Sequence, residues 1–276
     1  MNIAVILPAG GASVRYHSAG GLRSKLDEDM GGKPLLQRTV ETFTKFDDDD
    51  VNISTLIVAG PNDDDAFREF NERHGDRLTL LGAKLVKGGK VHRWQTVHAA
   101  IAHVPKECTH IAVHDAARPC ISFDLMRRVF RAAKKFPAVA PAVACTDTLK
   151  RARATDELMG GDDPVAAILG ESTASKQPVR IVSETLDRTG LVLTQTPQVF
   201  EANLLRKAYD AFIAMPESKQ HNVTDDAGVV ELSNHRVVIV DGEARNIKVT
   251  LPEDVSLARA LMGFKESEGR PVHKKF

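Results

Sequence analysis

Four short stretches of the chain combine residue types suited to phosphate chemistry. The first is Leu7-Pro8-Ala9-Gly10-Gly11-Ala12-Ser13-Val14-Arg15, in which small residues follow an apolar run. Small side chains at the C-terminal edge of a strand let main-chain N–H groups come close to phosphate oxygens. Neither a GxxxxGK[ST] Walker loop nor a GxGxxG fingerprint is present, so a plain structural turn is the competing reading. Arg15 and Lys25 follow, and two cations beside such a loop suit a triphosphate; two unrelated surface charges are the alternative. The second stretch is Gly88-Gly89-Lys90-Val91-His92-Arg93-Trp94-Gln95-Thr96-Val97, a glycine pair entering a helical pattern. Its glycines permit positive φ and close approach of a ligand, and Thr96 offers a hydroxyl, although a turn explains the pair equally well. The third, His114-Asp115-Ala116-Ala117-Arg118-Pro119, follows apolar Ile111 to Val113. A carboxylate there faces desolvation unless it meets a cation, a metal or hydrogen-bond donors, and a pair with Arg118 alone is the simple account. In the fourth, Ala244 to Asp254, Lys248 sits in a short extended segment just before a helix; taken alone it is an ordinary edge-strand lysine.

These loops need a frame. Near-continuous apolar runs recur at Ile3 to Leu7, Ile53 to Ala59, Leu78 to Val86, Ile111 to Val113, Val139 to Val143 and Val237 to Val240. Runs of this kind suit strands buried on both faces of a parallel sheet. Between them, Leu36, Val40, Phe43 and Phe46 repeat at helical spacing, as do Leu125, Val129 and Ala132. Strand and helix alternating in this way predict an α/β fold with right-handed crossovers. Asp47 to Asp50 reads as a solvated loop. From about 146 to 190 the rhythm breaks, and Arg151 to Ser183 predicts an excursion from the sheet, either a loop or an arm that packs on something else. Leu204 to Phe212 is then helical, and Pro252 with Glu253 and Asp254 starts a helix running to Met262. The polar tail Lys265 to Phe276 is expected to fray.

Composition sets outer bounds. Lys plus Arg and Asp plus Glu both count 37, giving zero net charge, so no global field recruits nucleic acid or an anionic membrane. Aromatic residues are only 5%, which argues against a base-stacking platform for single strands. The three cysteines show no CxxC spacing, so neither a disulfide framework nor a zinc cluster is suggested, and a reducing compartment is the natural reading. Ile3 to Leu7 is too short for a signal segment, and no apolar run approaches a membrane span. A soluble, cytoplasmic protein is expected.

Taken in order along the chain, these stretches resemble the 2-C-methyl-D-erythritol 4-phosphate cytidylyltransferases, and more loosely their relatives that act on ribitol 5-phosphate. The resemblance runs from Ile3 to about Ala260. It is carried by Pro8 to Arg15, Ser24-Lys25, Gly88-Gly89 with Arg93 and Thr96-Val97, His114 to Pro119, Asp147 to Lys150, Asp187-Arg188, Gln195 to Gln198, Thr224 to Asp226 and Asn246 to Asp254. It implies a Rossmann-like, mostly parallel sheet flanked by helices, a single domain over 1–276 with a protruding β-arm inserted at 146–190, and a homodimer formed through that arm. Pro8, Ala9, Gly10, Gly11, Gly88, Gly89, Thr96, Asp115 and Ala116 fall on nucleotide-binding positions, with Arg15 and Lys25 on the triphosphate and Gly89 and Thr96 on the cytosine. Arg15, Lys25, Lys248 and Asp115 fall on catalytic positions, and Thr148, Arg188, Thr196 and Thr224 on residues that hold the sugar phosphate. An extra residue between Gly89 and Thr96 leaves either His92 or Arg93 at the family's arginine position, and both the arm and the segment between Arg15 and Lys25 are longer than is usual.

The reaction so implied joins CTP to a polyol phosphate with loss of pyrophosphate. The acceptor phosphate is already anionic at pH 7, so no general base is assigned. Charge at the α-phosphorus falls to Arg15, Lys25 and Lys248, with Mg2+ across phosphate oxygens as the expected cofactor and Asp115 orienting either that metal or a lysine. A ribitol-5-phosphate cytidylyltransferase and a noncatalytic nucleotide-binding protein on the same fold are the alternative readings.

Overall fold

The computed structural model describes residues 1–159, 177–220 and 223–264. The chain divides into two compact units, one formed by Met1–Val143 with the chain from Thr194 onward and the other by Ala144–Leu193. The expected fraying of Lys265 to Phe276 lies outside the described residues.

In the first unit the strands are β1 (Asn2–Pro8), β2 (Asn52–Gly60), β3 (Ala83–Lys87), β4 (His110–Val113) and β5 (Ala138–Ala144). In the second, β6 (Lys150–Met159) and β7 (Gln177–Thr185) pair antiparallel, and the chain returns through β8 (Val192–Thr194) to β9 (Gln198–Glu201) and β10 (Val238–Asp241) in the main sheet. Along the main sheet the order is β10-β5-β9-β4-β1-β2-β3. β1 is parallel to both β2 and β4, so successive crossovers leave it in opposite directions. This is the switch point at which an open α/β sheet opens a crevice beyond its strand ends. Within this order β9 runs antiparallel to both its neighbours, pairing Gln198 with Val113. That register brings Gln195 and Thr196 beside the end of β4, where His114 and Asp115 begin.

The helices are α1 (Val14–Ser18), α2 (Leu35–Thr44), α3 (Asp64–Leu80), α4 (Arg93–Ile101), α5 (Phe123–Ala133), α6 (Ala202–Ile213), α7 (Glu217–Gln220), α8 (Asp226–Leu232) and α9 (Glu253–Leu261). They cover both faces of the sheet, which is why its strands are apolar without alternation. Ile3, Val5 and Leu7 pack with Leu36, Val40 and Phe43 of α2, Leu125 and Val129 of α5, and Val255 of α9. The intervening Ala4 and Ile6 point the other way, toward Val97 of α4, Leu205 and Phe212 of α6, and Val229 of α8.

One expected strand is corrected. The run Leu78 to Val86 is not continuous: its first residues close α3, Gly82 turns the chain at φ 79°, and the strand begins at Ala83. The excursion over Arg151 to Ser183 begins and ends in the β6–β7 hairpin. Asp47 to Asp50 form a largely exposed connection, as charge repulsion within the run requires.

Candidate active site

The crevice beyond β1, β3 and β4 holds a cavity of about 260 Å³. Its walls come from the 8–13 loop after β1, from Gly89 to Arg93 and Thr96 after β3, from Asp115 to Ala117 after β4, and from Lys25 and Lys248. Three of the four phosphate-type stretches therefore meet here because β4, β1 and β3, with β2 between the last two, end at one edge of the sheet, and the fourth contributes Lys248 by packing on the third. Val249 donates its main-chain N–H to the Ala117 carbonyl at 2.9 Å, and Arg118 Nη1 donates to the Asn246 carbonyl at 2.7 Å.

Asp115 is the hub. Its Oδ1 accepts from Arg93 Nε at 3.2 Å, and its Oδ2 meets Arg118 Nε and Lys248 Nζ, each at 3.1 Å. Burial would raise its pKa, but Arg93, Lys248 and Arg118 outweigh burial and hold the carboxyl well below the usual range. Both oxygens thus face cations. Among the described residues no cluster of three His, Cys, Asp or Glu side chains is arranged to hold a metal, and Asp115 is the one carboxylate lining the cavity. Of the two expected roles for Asp115, orienting a lysine matches this geometry; ligating a metal would bring an ion against three positive charges, so the donor set does not fit a protein-built Mg2+ site.

Of the two candidates at the glycine-pair stretch, Arg93 is the one that reaches the carboxylates beside the cavity. Its guanidinium bridges Asp115 and Asp226, with Nη1 2.6 Å from Asp226 Oδ2, and its Nη2 is buried without a hydrogen-bond partner. His92 is instead the residue preceding α4, in a capping box with Gln95, and its ring stacks on Trp94. Thr96 Oγ1 accepts the Gly89 N–H at 3.1 Å, fixing the loop against the helix. The expectation that this glycine pair supplies positive φ is corrected, since neither Gly88 nor Gly89 has it. Glycine is needed for closeness: a Cβ on Gly88 would meet the Gly60 carbonyl oxygen at 2.5 Å, and one on Gly89 would meet Gln95 Cβ at 2.2 Å.

Lys25 opens a short 3-10 turn, Lys25–Asp27, and donates Nζ to the Val249 carbonyl at 3.1 Å. Its pKa is lowered by burial and by the nearby charges of Lys248 and Arg15, against an opposing pull from Asp115. Arg15, exposed on α1, is therefore close enough to be felt at Lys25. A lysine held among like charges in this way gains from receiving an anion.

Thr196 takes a different place from the one expected. Its hydroxyl lies 3.1 Å from His114 Nδ1 and accepts the Asp115 N–H at 3.0 Å, while His114 Nε2 lies 3.2 Å from the Arg118 carbonyl. His114 is fully buried, and its pKa is lowered to about 4 chiefly by that burial, so the ring is neutral. Thr196 thereby ties His114 to the main chain of Asp115 and supports the Asp115 loop. The other expected acceptor residues are exposed: Thr224 beside α8 in the first unit, and Thr148 and Arg188 in the second, where Arg188 donates to the Thr146 carbonyl.

Sequence reasoning passed over Tyr209 and gave Asp226 no role. Tyr209 OH donates to Asp226 Oδ1 at 2.6 Å, and Asp226 has no exposed surface. The available signal was the acidic pair Asp225-Asp226 at a helix start. Asp225 caps α8 by accepting the Gly228 N–H, which leaves the second acid to turn inward.

The sequence model of one family, IspD: 2-C-methyl-D-erythritol 4-phosphate cytidylyltransferase, matches residues 3–164 and 164–264. The chain is similar to the 2-C-methyl-D-erythritol 4-phosphate cytidylyltransferase of Bacteroides fragilis, being 32% identical over 257 residues that cover 93% of this chain and 98% of that one. It is 31% identical over 278 residues to the bifunctional enzyme IspD/IspF of Desulfotalea psychrophila, covering 99% of this chain and 59% of that protein's length. Among solved structures, the crystal structure of 2-C-methyl-D-erythritol 4-phosphate cytidylyltransferase from Thermus thermophilus superposes with a TM-score of 0.66 at 26% identity, covering 95% of this chain and 100% of that one.

Proposed function

This chain belongs to the 2-C-methyl-D-erythritol 4-phosphate cytidylyltransferase family and carries out CTP-dependent cytidylyl transfer to 2-C-methyl-D-erythritol 4-phosphate in isoprenoid biosynthesis, and from that premise we propose how its residues share the work. The 8–13 loop and Arg15 hold the triphosphate, Gly88, Gly89 and Thr96 frame the cytosine, and Asp115 with Ala116 borders the nucleoside. An oxygen of the acceptor phosphate attacks the α-phosphorus in line; one P–O bond forms there as the bond to the bridging oxygen breaks, and pyrophosphate departs with that electron pair. Lys25, Lys248 and Arg15 stabilise the charge gathered on the equatorial and leaving oxygens. The observation that carries this reading is a cavity lined by Lys25 and Lys248 whose only lining carboxylate, among the described residues, already meets Arg93, Arg118 and Lys248.

Mg2+ is assigned to the CTP phosphates, since Asp115 already faces Arg93, Arg118 and Lys248. When bound it would neutralise part of the charge on the leaving pyrophosphate.

Thr148, Arg188 and Thr224 are the acceptor-phosphate residues in this reading, and the chain works as a homodimer. Support for the dimer comes from the β6–β7 hairpin, which leaves Val182 60% and Ile181 38% exposed. An isolated two-stranded ribbon is marginal in water, so such a ribbon gains from a second surface. Cytoplasmic location is consistent with three free cysteines, and no helix among the described residues is long and apolar enough to cross a membrane.

The test is pyrophosphate release on mixing the protein with CTP, Mg2+ and either 2-C-methyl-D-erythritol 4-phosphate or ribitol 5-phosphate. Release with the erythritol acceptor is expected to exceed that with ribitol by about tenfold or more. Preference for ribitol would reassign the acceptor, and no release with either would leave a nucleotide-binding protein.

A further inference from the structure

The segment between Arg15 and Lys25 builds more than a connection. His17, Arg23 and Ser24 from it, with Arg73, His74 and Arg77 of α3, line a cavity of about 550 Å³ outside the catalytic pocket. Asp27 is the one carboxylate in that lining, and it is already taken: His74 Nε2 lies 2.7 Å from Oδ1 and Arg73 Nη1 lies 2.9 Å from Oδ2. Among the described residues Arg77 pairs with no carboxylate, and Arg23 helps to lower the Asp27 pKa without forming an ion pair. Guanidiniums gathered around one hollow with their counter-charge spoken for favour an incoming anion. Arg binds phosphate with two parallel N–H donors, which sets the chemical class.

The hollow is also joined to the catalytic pocket through shared walls. Ser24, Asp27, Arg73 and His74 line a second, smaller hollow of about 280 Å³ whose far side is the Ala9 to Ser13 loop. That same loop lines the catalytic pocket. Ser24 Oγ accepts the Leu26 N–H at 3.3 Å, so an occupant of the outer cavity would touch the turn that presents Lys25.

We propose that the cavity of Arg23, Arg73 and Arg77 is a second anion site that takes a diphosphate group, separate from the pocket where CTP reacts. A hollow of about 550 Å³ bordered by Arg23 and Arg77 has room for more than one phosphate group. Pyrophosphate is the diphosphate that the reaction itself releases; naming it as the natural occupant rests on the proposed function, whereas the anion chemistry of the cavity does not.

The experiment fills the catalytic pocket first. Protein saturated with α,β-methylene-CTP, which cannot lose pyrophosphate, is dialysed to equilibrium against labelled pyrophosphate and, separately, labelled orthophosphate. About one pyrophosphate per chain is expected to bind above the analogue, with orthophosphate weaker by about tenfold or more. An Arg23→Gln/Arg77→Gln double variant, altered only at exposed side chains, should melt with the parent and bind the analogue within about twofold, yet lose about tenfold or more in pyrophosphate affinity. No pyrophosphate bound beside the analogue, or equal binding by the double variant, overturns the site. Orthophosphate binding as tightly as pyrophosphate overturns the diphosphate assignment. If the analogue itself fails to bind, the nucleotide reading falls, and pyrophosphate binding to the free protein and its double variant still decides the cavity.

Discussion

Arg93 Nη1 lies 2.6 Å from Oδ2 of Asp226, a carboxylate with no exposed surface that sits behind the catalytic pocket. The other Asp226 oxygen accepts from Tyr209 OH at 2.6 Å, and Arg93 turns its Nε to Asp115, which in turn meets Lys248. A line of hydrogen-bonded groups thus runs from the core beneath α6 to Lys248, which lines the cavity. Burial opposes the charge on Arg93, yet Asp226 and Asp115 outweigh it and raise its pKa, so the guanidinium stays charged.

Asp226→Asn keeps the shape of this line and removes its inner charge. Breaking a buried pair by neutralising one partner costs about 3 to 5 kcal/mol, so the variant should melt well below the parent. Tyr209→Phe leaves the pair intact and removes one hydrogen bond, for a loss of about 1 kcal/mol. Chemical denaturation of both variants checks the order; equal stability of Asp226→Asn and the parent would remove the pair from the account of the fold.

Lys248→Ala is expected to lower kcat far more than it raises the KM for CTP. Its charge acts as negative charge builds in the transition state, and loss of one such donor typically costs roughly 3 to 4 kcal/mol. Steady-state kinetics decide. An unchanged kcat would return Lys248 to the role of an ordinary lysine, despite its position 3.1 Å from Asp115.

The loops at this site were legible in the sequence because each is local: glycines, a cation and a carboxylate at fixed offsets behind an apolar run. Strand runs such as Ile3 to Leu7 were legible for the same reason, since burial on both faces removes alternation. Pairings across the fold were not. Arg93, Asp115, Tyr209 and Asp226 come from four different elements or loops, and nothing in the spacing of 93, 209 and 226 announces a contact. β9 escaped notice because Gln198-Val199-Phe200-Glu201 sets only two apolar residues between polar ends, so no apolar run stands out. α3 carries much charge along its length, so its amphipathic stripe is faint, and its apolar end merged with the strand after Gly82.

Thr96→Val should relax discrimination between CTP and UTP. The hydroxyl accepts the Gly89 N–H, and its loss frees both the loop and a polar group beside the base site. A site built on hydrogen bonds rejects the wrong partner because its groups would otherwise go unpaired. Competition assays with the two nucleotides measure the effect; an unaltered preference would move base recognition to the main chain of Gly88 and Gly89.

Acid sensitivity follows from His114. Its folded pKa of about 4 lies below the ordinary 6.5, so as pH falls the unfolded chain takes up the proton first. The stability it contributes is complete above about 6.5, declines as pH drops toward 4, and falls no further below that, a loss of roughly 3 kcal/mol. Asp115, held lower still, adds its own loss only beneath the ordinary carboxylate range. Comparing unfolding of the parent and His114→Gln from pH 7 to pH 4 should show the gap between them narrowing. A constant gap would mean that His114 takes up its proton inside the fold as readily as in the unfolded chain.

The proposed homodimer predicts sharing of sites. If Arg188 serves the pocket of the neighbouring copy while Lys248 serves its own, lesions at the two positions fall on different partners in a mixed dimer. Arg188→Lys should first raise the acceptor KM and spare that of CTP, because an ammonium cannot offer two parallel donors to one phosphate. Arg188→Ala and Lys248→Ala chains, each nearly inactive alone, are then coexpressed and the heterodimer isolated. One of its sites combines an intact Lys248 with the partner's intact Arg188, and the other carries both lesions, so about half of the parent activity should return. A verified heterodimer that recovers nothing would show that each site is built from one chain. The hairpin of β6 and β7 would then have to serve its own pocket, and its exposed Ile181 and Val182 would need a different cover.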